Sequence, residues 1–444
     1  MQAGSALINR QPDRLIAQSE GGPLSVRQLI AFTAHVAGHL PEKQYVFNLY
    51  PNPVDYLLGF CATTAAGQCT LMPPNRLDTT LDAIRTDYPD SYVIGPEVSG
   101  DLDIRRYSKY AEESGLGSDP VPVIPDSQLC AIAFTSGSTG APSPNLKSWK
   151  TLRDGSISNA AMLLNGIDGA VNVISMVPPQ HMWGLETSVL LPLFAESAIS
   201  HHTPFYPLDL KDALESTPMP RVLVSTPVHL AAMVRSGLEF APVERVLCAT
   251  APLSSSLAEI VEKVFSTHLL EVFGCTETGI LASRLTTCEE QWTLAETFNL
   301  DTSGGEARIA AAHLPSDVRL QDAVIKTGDK RFRWLGRHED LVNIAGKRGS
   351  LADLNRRLQS IPGVIDGVIF FPGEEHGRLA AMVVAPNLGT AEIRDALRHQ
   401  VEPAFMPRPI TKVERLPRSD TGKLAKQALL ELFESMRQST GAFS

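Results

Sequence analysis

The nine residues Phe134-Thr135-Ser136-Gly137-Ser138-Thr139-Gly140-Ala141-Pro142 place four hydroxyl side chains and two glycines directly after an apolar run at 129–134. Glycine allows positive φ and close backbone approach, so successive N–H groups of such a turn can converge on anionic oxygens, and the hydroxyl groups add donors. A flexible surface turn has the same composition. The stretch matches neither the Walker pattern G-x-x-x-x-G-K-[ST] nor the dinucleotide pattern G-x-G-x-x-G. It indicates either a polyphosphate cradle or a surface turn.

Apolar runs alternate with helical patterns on both sides of this turn. Residues 44–49 and 69–72 are predicted as strands, with a helix at 53–67 between them. Further strands are predicted at 171–177, 221–225, 245–249 and 269–273, with a helix at 254–265. This alternation favours a layered α/β architecture with parallel strands.

A second block follows a β-rich segment at 318–347. Helices are predicted at 351–358, 390–401 and 425–437, and strands at 364–371 and 379–385. A block of about 105 residues is long enough to fold as a small α+β domain.

Composition limits the class of protein. A chain of 444 residues with 43% hydrophobic content has the length of about two to four domains or subdomains. Its six cysteines form no C-x-x-C pair, which fits reduced thiols better than disulfides or a zinc cluster. Residues 1–15 lack a basic region followed by an apolar one, and no window approaches the roughly 18 apolar residues of a membrane span. We therefore expect a cytoplasmic protein without a membrane span or a structural metal.

The charge of the chain is acidic and unevenly distributed. The formal net charge is −10, whereas nucleic-acid binders usually carry a strongly basic domain, so we expect no nucleic-acid partner. Residues 336–444 carry 15 Lys and Arg against 13 Asp and Glu, and the rest of the chain carries 24 against 36. A slightly basic C-terminal block is compatible with delivering cations to a bound anion, although solubility alone produces the same split.

A second polar turn, Val272-Phe273-Gly274-Cys275-Thr276-Glu277-Thr278-Gly279, ends a predicted strand and carries one carboxylate among hydroxyl groups. Glu277 has the chemistry of a Mg²⁺ ligand, because this hard cation commonly bridges a protein carboxylate and substrate phosphates. A helix N-cap with an acidic first turn explains the same residues. The turn by itself leaves both interpretations open.

Two further polar segments lie closer to the C-terminus. Thr327-Gly328-Asp329 is followed by Gly336-Arg337-His338-Glu339-Asp340, and Leu416-Pro417-Arg418-Ser419-Asp420-Thr421-Gly422-Lys423 forms a loop with a lysine at its end. Asp329 can accept hydrogen bonds from both hydroxyls of a ribose, and Arg337 can donate to sugar or phosphate. A solvated turn aspartate and a surface lysine are the simpler explanations of each segment alone.

In their order and separation, these four segments resemble the core motifs of the adenylate-forming superfamily, which includes acyl-CoA synthetases, aryl-CoA ligases, nonribosomal-peptide adenylation domains and firefly luciferase. The resemblance extends from about residue 25 to residue 426. Each motif is weak singly, but four in the correct order are hard to obtain by chance. The resemblance therefore favours the polyphosphate cradle over the surface turn.

The resemblance implies the adenylate-forming enzyme fold. An α/β N-terminal domain of layered subdomains plus a β-rich segment is expected at residues 1–336, and a small mobile α+β domain at residues 337–444, with a hinge near Glu339. It also implies an AMP-forming acid–thiol ligase. A carboxylate attacks the α-phosphorus of ATP and releases pyrophosphate, and a phosphopantetheine thiol of CoA or of an acyl carrier protein then displaces AMP. The small domain of such enzymes rotates between the two steps.

The same resemblance implies the catalytic residues. Lys423 is expected to bridge the carboxylate, the α-phosphate and the ribose, a role that suits a compact ammonium group. Glu277 is expected to hold Mg²⁺, with Thr276 near the α-phosphate. In Val177-Pro178-Pro179-Gln180-His181-Met182-Trp183-Gly184, His181 is expected to lie beside the substrate carboxylate. Without the resemblance, His181 is better explained as a buried histidine with satisfied hydrogen bonds.

Nucleotide-binding residues follow from the same motifs. The β- and γ-phosphates are expected to contact Thr135, Ser136, Gly137, Ser138, Thr139 and Gly140. The adenine and acyl pockets are expected to include Ala249, Thr250, Ala251, Phe273 and Gly274. Asp329 is expected to bind the ribose hydroxyls with Arg337 beside it, and Gly346 to help form the tunnel for the pantetheine arm.

One departure from the family pattern lies beside the opening turn. The usual continuation is T-G-x-P-K, with the lysine on the phosphates, whereas here Ser143 follows Pro142. Either Lys147 or Lys150 folds back to replace that lysine, or backbone donors, Mg²⁺ and Lys423 suffice, or activity is lost. The other motif residues are retained, which favours an active enzyme over a catalytically inactive nucleotide- or acyl-binding protein.

The substrate is indicated only by resemblance. The sequence S-P-N after the proline is similar to ligases of bacterial aryl-polyene and xanthomonadin-type pigment biosynthesis, which activate 4-hydroxybenzoate and pass it to an acyl carrier protein. A hydroxybenzoate is therefore the favoured small carboxylic acid. Nothing in periodicity or spacing distinguishes an aromatic ring from an alkyl chain, so a medium- or long-chain fatty acyl-CoA synthetase is the alternative. The sequence does not indicate an oligomeric state.

Overall fold

Strands and helices alternate along most of the chain. The structure, a computed structural model, describes residues 3–96, 102–107, 119–136, 142–304, 306–337, 341–344, 347–373, 378–418 and 424–440. The strands are β1 (Gly4–Ala6), β2 (Leu15–Ser19), β3 (Gly22–Ser25), β4 (Tyr45–Asn48), β5 (Cys69–Met72), β6 (Ser91–Ile94), β7 (Val123–Pro125), β8 (Leu129–Ser136), β9 (Pro142–Ser148), β10 (Val171–Ser175), β11 (Ser197–Ser200), β12 (Arg221–Ser225), β13 (Arg245–Cys248), β14 (His268–Cys275), β15 (Gly279–Leu285), β16 (Trp292–Leu294), β17 (Phe298–Asp301), β18 (Arg308–Ala311), β19 (Val318–Arg319), β20 (Asp322–Lys326), β21 (Arg331–Arg337), β22 (Leu341–Ile344), β23 (Lys347–Ser350), β24 (Asp366–Phe370), β25 (Ala380–Val384) and β26 (Ile410–Lys412).

The helices lie between these strands. They are α1 (Val26–Ala37), α2 (Pro53–Ala65), α3 (Asp78–Asp87), α4 (Trp149–Leu163), α5 (Pro207–Ser216), α6 (Pro227–Ser236), α7 (Ser255–Phe265), α8 (Leu351–Gln359), α9 (Thr390–Arg398) and α10 (Lys426–Thr440). A further helical stretch consists of Met182–Gly184, a π-helical segment Leu185–Leu190 and Leu191–Phe194, and short 3₁₀ helices lie at Ile104–Tyr107 and Pro403–Phe405.

Two large sheets form the framework. The first has the strand order β20-β21-β16-β15-β14-β13-β12-β10-β11-β2-β3, and its middle strands from β14 to β2 run parallel. The second has the order β6-β4-β5-β8-β9, and its first four strands are parallel. β9 closes the second sheet as an antiparallel edge strand. The predicted layered α/β architecture with parallel strands is confirmed.

Helix α2 packs between the two sheets. It contacts β5 of the second sheet and β11 of the first. Its apolar residues are buried on nearly all sides, including Tyr56, Leu57 and Phe60. A helix that is apolar all round is stable only when protein surrounds it. The large hydrophobic core that contains α2 therefore joins the sheets into one body.

The ends of α2 follow from local sequence chemistry. The Asn52 side chain accepts from the backbone N–H groups of Val54 and Asp55, and Pro53 occupies the first helical position. The helix ends at Ala65, earlier than the prediction of 53–67, because Gly67 adopts φ +76° and turns the chain towards β5.

A small sheet, β24-β25-β26, organises the C-terminal block. Alternate residues of β25 point to opposite faces, so Ala381 and Val383 join one core and Ala380 and Met382 another. Helices α8 and α9 cover the first face and α10 the second. Both cores consist of residues from Val342 onward.

The sequence predicts neither a membrane span nor disulfide bonds. No helix in the described ranges combines the length and hydropathy of a membrane-crossing segment. All six cysteines are free thiols, and Cys61, Cys69, Cys130 and Cys248 are buried.

Candidate functional site

A cleft of about 2950 Å³ lies at the carboxyl ends of the parallel strands. Ligands of α/β proteins bind at this edge because the loops that follow the strands converge there. The cleft is lined by Met72 of β5, Thr135 of β8, Met176 after β10, Thr226 after β12, Ala249 after β13 and Cys275 of β14, and on another side by Leu354 of α8, Ile369 of β24 and Leu429 of α10. Residues from both large sheets and from the C-terminal block therefore share one cavity.

The cleft brings together residues from three of the predicted motifs and from the segment after β13. Its lining includes Thr135, His181, Ala249, Thr250, Ala251, Gly274, Thr276 and Glu277. Thr135, His181 and Thr276 are half-buried, whereas Glu277 is exposed. The Glu277 carboxylate is therefore accessible to a cation bound in the cleft.

The connection between β13 and α7 has a strained backbone. Thr250 adopts φ +85°, a left-handed conformation that is rare for a β-branched residue. Such outliers persist where the surrounding structure fixes them, and they concentrate at ligand sites. The strain at Thr250 is consistent with its predicted place in the nucleotide pocket.

Two predicted binding residues lie away from the cleft lining. The Phe273 ring packs against Trp292 and Phe332, with ring centroids 5.4 Å and 5.6 Å away. Its side chain thus belongs to the aromatic core behind the strand, in contrast to its expected place in a ligand pocket. Asp329 is exposed in the turn between β20 and β21, because these strands pair directly and place the turn at the tip of a hairpin. Asp329 is not among the residues that line the cleft, and its contact with ribose stays a prediction.

Several predicted residues lie outside the described residues. They are Gly137, Ser138, Thr139, Gly140, Glu339, Gly346 and Lys423. For Ser136 and Arg337 the structure describes the backbone, at the ends of β8 and β21. The roles of these residues stay predictions.

Neither lysine considered as a substitute at the phosphate turn is free to bind a phosphate. Ser143 lies on β9 opposite Thr135 and is exposed. The Lys150 ammonium donates to the Ala312 carbonyl oxygen at 2.7 Å and to Asp154 at 3.2 Å. Lys147 is buried, and its ammonium donates to a backbone carbonyl. The charge missing at Ser143 is therefore not replaced by either lysine in this structure.

Lys147 and Glu186 are buried next to the turn that carries Glu277, and Glu186 also belongs to the cleft lining. The Lys147 ammonium donates to the Glu277 carbonyl oxygen at 2.8 Å, and Glu186 Oε1 accepts from the Ile280 N–H at 2.9 Å. The two residues are 2% and 6% exposed. One bond is made at Glu277, within the turn, and the other at Ile280, directly after it. The position of Glu277 therefore depends on a buried cation and a buried carboxylate. We call Lys147 and Glu186 the buried pair.

The surroundings of Glu186 leave no space for a side chain at residue 279. Asn159 of α4 donates to Glu186 Oε1 at 2.9 Å. Gly279 adopts φ +73°, and a Cβ atom there would lie 2.5 Å from the same oxygen. Glycine is required at this position by both backbone conformation and space.

Gly274 closes the other end of the turn. The pairing of β14 with β15 shifts register between Phe273 and Gly274, and a Cβ atom on Gly274 would collide with the Gly279 carbonyl oxygen. The backbones of Gly274 and Gly279 thus lie close together, and Thr276 and Glu277 lie in the tight turn between them.

Burial shifts the pKa of both members of the buried pair. It raises the pKa of Glu186 to about 7, against the opposing effects of the Ile280 N–H and the Lys147 charge. Burial also lowers the pKa of Lys147, an effect that the Glu186 charge opposes. Each side chain therefore favours the charged form of the other.

The sequence patterns do not single out Glu186, although a signal is present. Glu186 is the only Asp, Glu, Lys or Arg between Met176 and Ala195. A carboxylate within such an apolar stretch must find partners, because an unpaired buried charge is very costly. The partners themselves, Lys147 and Ile280, are far away in sequence, and only the fold brings them together.

Comparisons with known proteins give the family and the fold of this chain. The family model described as AMP-binding enzyme matches residues 91–313. The chain is 29% identical over 323 residues to a 4-coumarate–CoA ligase of Rhodobacter capsulatus, covering 72% of this chain and 78% of that protein. Its structure is similar to that of ATP-bound MatB from Rhodopseudomonas palustris, with a TM-score of 0.80, 19% identity and coverage of 96% and 97%. It is also similar to O-succinylbenzoate CoA synthetase (MenE) from Bacillus subtilis in complex with ATP and magnesium ion, with a TM-score of 0.76, 15% identity and coverage of 94% and 97%. The predicted fold is confirmed.

We predict that Lys147→Met lowers the free energy of unfolding by about 2 kcal/mol, because it removes the hydrogen bond from the buried ammonium to the Glu277 carbonyl oxygen. The double variant Lys147→Met/Glu186→Gln should be more stable than Lys147→Met, since it removes both charges. Urea unfolding of the wild type, the single variants and the double variant measures this coupling. Lys150→Met, at an exposed ion pair, is the control and should change stability by less than about 1 kcal/mol. Additive losses for the two single substitutions would show that the pair is not coupled.

We predict that Glu186→Gln flattens the pH dependence of stability. The pKa of Glu186 in the folded state, about 7, lies above its ordinary value of 4.5. Between these pH values the folded state binds a proton that the unfolded state has released, so the contribution of this group to stability falls as the pH rises. Denaturant unfolding from about pH 5 to pH 8 should show a decline in the wild type that is smaller in Glu186→Gln. Equal slopes in both proteins would contradict the raised pKa.

Proposed function

Since this chain belongs to the AMP-binding enzyme family and is an AMP-forming acid–thiol ligase, we propose that it activates an aryl carboxylic acid, with a hydroxybenzoate as the favoured substrate. The observation that carries this proposal is the cleft in which Thr135, His181 and Glu277 meet at the carboxyl ends of the strands. Such a cleft can hold two anions, a carboxylate and ATP, next to one another.

The proposed reaction has two steps. In the first, an oxygen of the carboxylate bonds to the α-phosphorus of ATP, and the bond from that phosphorus to pyrophosphate breaks. In the second, a thiolate sulfur bonds to the acyl carbon, and AMP leaves. Because both reactants of the first step are anions, the contribution of the protein is to hold them together and to offset their charge.

Glu277 is the proposed protein ligand of Mg²⁺. Its carboxylate is exposed to the cleft, and carboxylate oxygens are the ligands that Mg²⁺ prefers. When bound there, Mg²⁺ would supply positive charge to the substrate phosphates. The buried pair bonds to the backbone at Glu277 itself and at Ile280, three residues later, which favours one position for the carboxylate.

Aromatic side chains support an aryl substrate. Trp183 and His229 line the cleft together with His181, and flat walls suit a flat ring. Trp183 is held in place by a hydrogen bond from its indole N–H to the Ser225 carbonyl oxygen at 3.4 Å. The similarity to a 4-coumarate–CoA ligase points to the same substrate class.

The thiol acceptor is proposed to be the phosphopantetheine arm of CoA or of an acyl carrier protein in the cytoplasm. Gly346 and the segment around it would form part of the tunnel for this arm.

We propose that the chain divides into two domains between residues 336 and 337, and that residues 337–444 rotate about Glu339 between the two steps.

We predict that carboxylate-dependent exchange of labelled pyrophosphate into ATP occurs with hydroxybenzoates and cinnamates. The panel should include medium- and long-chain fatty acids and a Glu277→Gln control, which should lose exchange because it removes the anionic Mg²⁺ ligand. Exchange confined to fatty acids would overturn the aryl proposal. Exchange with none of the acids would favour a catalytically inactive nucleotide- or acyl-binding protein.

We predict that Lys423→Ala abolishes adenylation but spares transfer from preformed acyl-AMP, since the proposed rotation withdraws this ammonium before the thiol attacks. Both half-reactions are measured, the second with CoA and with a carrier protein, which also identifies the acceptor. Lys412→Ala is a matched control, because the exposed Lys412 ammonium bonds to the Leu388 carbonyl oxygen. Equal loss of both half-reactions would contradict the rotation.

A further inference from the structure

Arg76 lies at the edge of the second sheet where β8 ends. β5 and β8 are parallel neighbours, with Met72 opposite Ala133, so the residues after β5 emerge beside those after β8. Arg76 lines the cleft together with Thr135 and Glu277. A cation at this position lies at the same edge of the sheet as the end of β8, the strand that leads into the phosphate turn.

Two neutral acceptors hold the guanidinium group. Arg76 Nη2 donates to the Tyr50 carbonyl oxygen at 3.2 Å and to Gln180 Oε1 at 3.1 Å. Tyr50 lies two residues after β4, and Gln180 immediately precedes His181. These bonds orient the group without neutralising its charge.

Arg76 differs in this respect from Arg284 and Arg418, which also line the cleft. Arg284 pairs with Glu271 at 2.7 Å, and Arg418 pairs with Asp366 at 2.7 Å. Within the described ranges, no carboxylate pairs with Arg76. Its positive charge is therefore available to an anion that enters the cleft.

Arg76 is exposed in the cleft lining, so an anion that enters the cleft can reach its guanidinium group. Desolvation lowers the pKa of Arg76, although a guanidinium group stays protonated at neutral pH. A guanidinium group that is held by neutral acceptors keeps its positive charge, which a bound anion can offset. The planar donors of arginine also match the geometry of phosphate oxygens.

We propose that Arg76 binds the β- and γ-phosphates of ATP and the leaving pyrophosphate, and so provides the charge that Ser143 lacks. The proposal rests on the proposed adenylation activity. It accounts for a phosphate site without a lysine at residue 143, while Lys147 and Lys150 are bonded to backbone carbonyls. It assigns a substrate contact to a residue outside the recognised motifs.

Calorimetric binding of MgATP, pyrophosphate and AMP tests this role without any acid substrate. Arg76→Met should weaken MgATP and pyrophosphate binding about 10- to 100-fold, the range expected for a lost hydrogen bond to a charged group, and should leave AMP binding nearly unchanged. Arg76→Lys should retain part of the affinity. Arg85→Met is the matched control, because Arg85 is exposed on α3 and pairs with Asp82.

The decisive variant removes the positive charge at residue 76 and places one at residue 143. Adding Ser143→Lys to Arg76→Met should restore pyrophosphate binding and ATP–pyrophosphate exchange, whereas a role of Arg76 in holding Tyr50 and Gln180 would not be rescued from residue 143. Circular dichroism and thermal unfolding establish that each variant folds. Failure of both Arg76→Lys and Ser143→Lys to recover phosphate binding would overturn the proposal.

The remaining outcomes separate this inference from the proposed function. Equal ATP affinity of the wild type and Arg76→Met overturns the role of Arg76 alone. An equal loss of AMP binding also overturns it, because AMP has no β- or γ-phosphate. A wild type that binds ATP but exchanges pyrophosphate with no acid overturns the proposed function, while the binding comparison still tests Arg76. A wild type that binds neither ATP nor pyrophosphate overturns both.

Discussion

The turn that carries Glu277 is held by a buried ammonium and a buried carboxylate. Burying two charges carries a desolvation cost that their mutual attraction does not always offset, so such a pair is weak evidence of stabilisation. Here both charges also bond to the backbone of the turn, at the Glu277 carbonyl and the Ile280 N–H. Lys147 lies on β9 of the second sheet, whereas Glu277 lies between β14 and β15 of the first sheet and Ile280 lies on β15. The hydrogen bond from Lys147 therefore connects the two sheets at the Glu277 turn, and Glu186 connects the start of β15 to the π-helical segment.

The segment that supplies Glu186 also supplies His181. Gly184 lies between them, and a side chain there would collide with the Pro178 carbonyl oxygen, so the chain folds tightly back before the helical stretch begins. Glu186 then lies in a π-helical segment, a form that is rare and frequent at functional sites. One short segment thus brings His181, Trp183 and Glu186 to the cleft lining, and Glu186 also accepts a hydrogen bond from the Ile280 N–H.

Local chemistry made much of the fold predictable, and long-range pairing made the rest unpredictable. The strand Cys69–Met72 agrees with its prediction because a short apolar run is bounded by a glycine and prolines. The direction of Phe273 was not predictable, because it depends on the register of β14 against β15, which shifts at the next residue. The partner of Lys147 was not predictable either, since 130 residues separate it from Glu277. Motifs identified the walls of the cleft, but the contacts between the walls are properties of the folded chain.

An acidic protein that binds a polyanion must rely on a few fixed charges. The net charge of −10 acts weakly across the molecule, because at physiological salt a charge is screened over about 8 Å in water. A cation that lies within this distance of a bound phosphate acts on it directly, so the position of the cation matters more than the total charge. This favours guanidinium and ammonium groups that are oriented before the nucleotide arrives, as Arg76 is by Tyr50 and Gln180. In the proposed phosphate site, the place at which a cation is held at the sheet edge therefore matters more than the strand that supplies it.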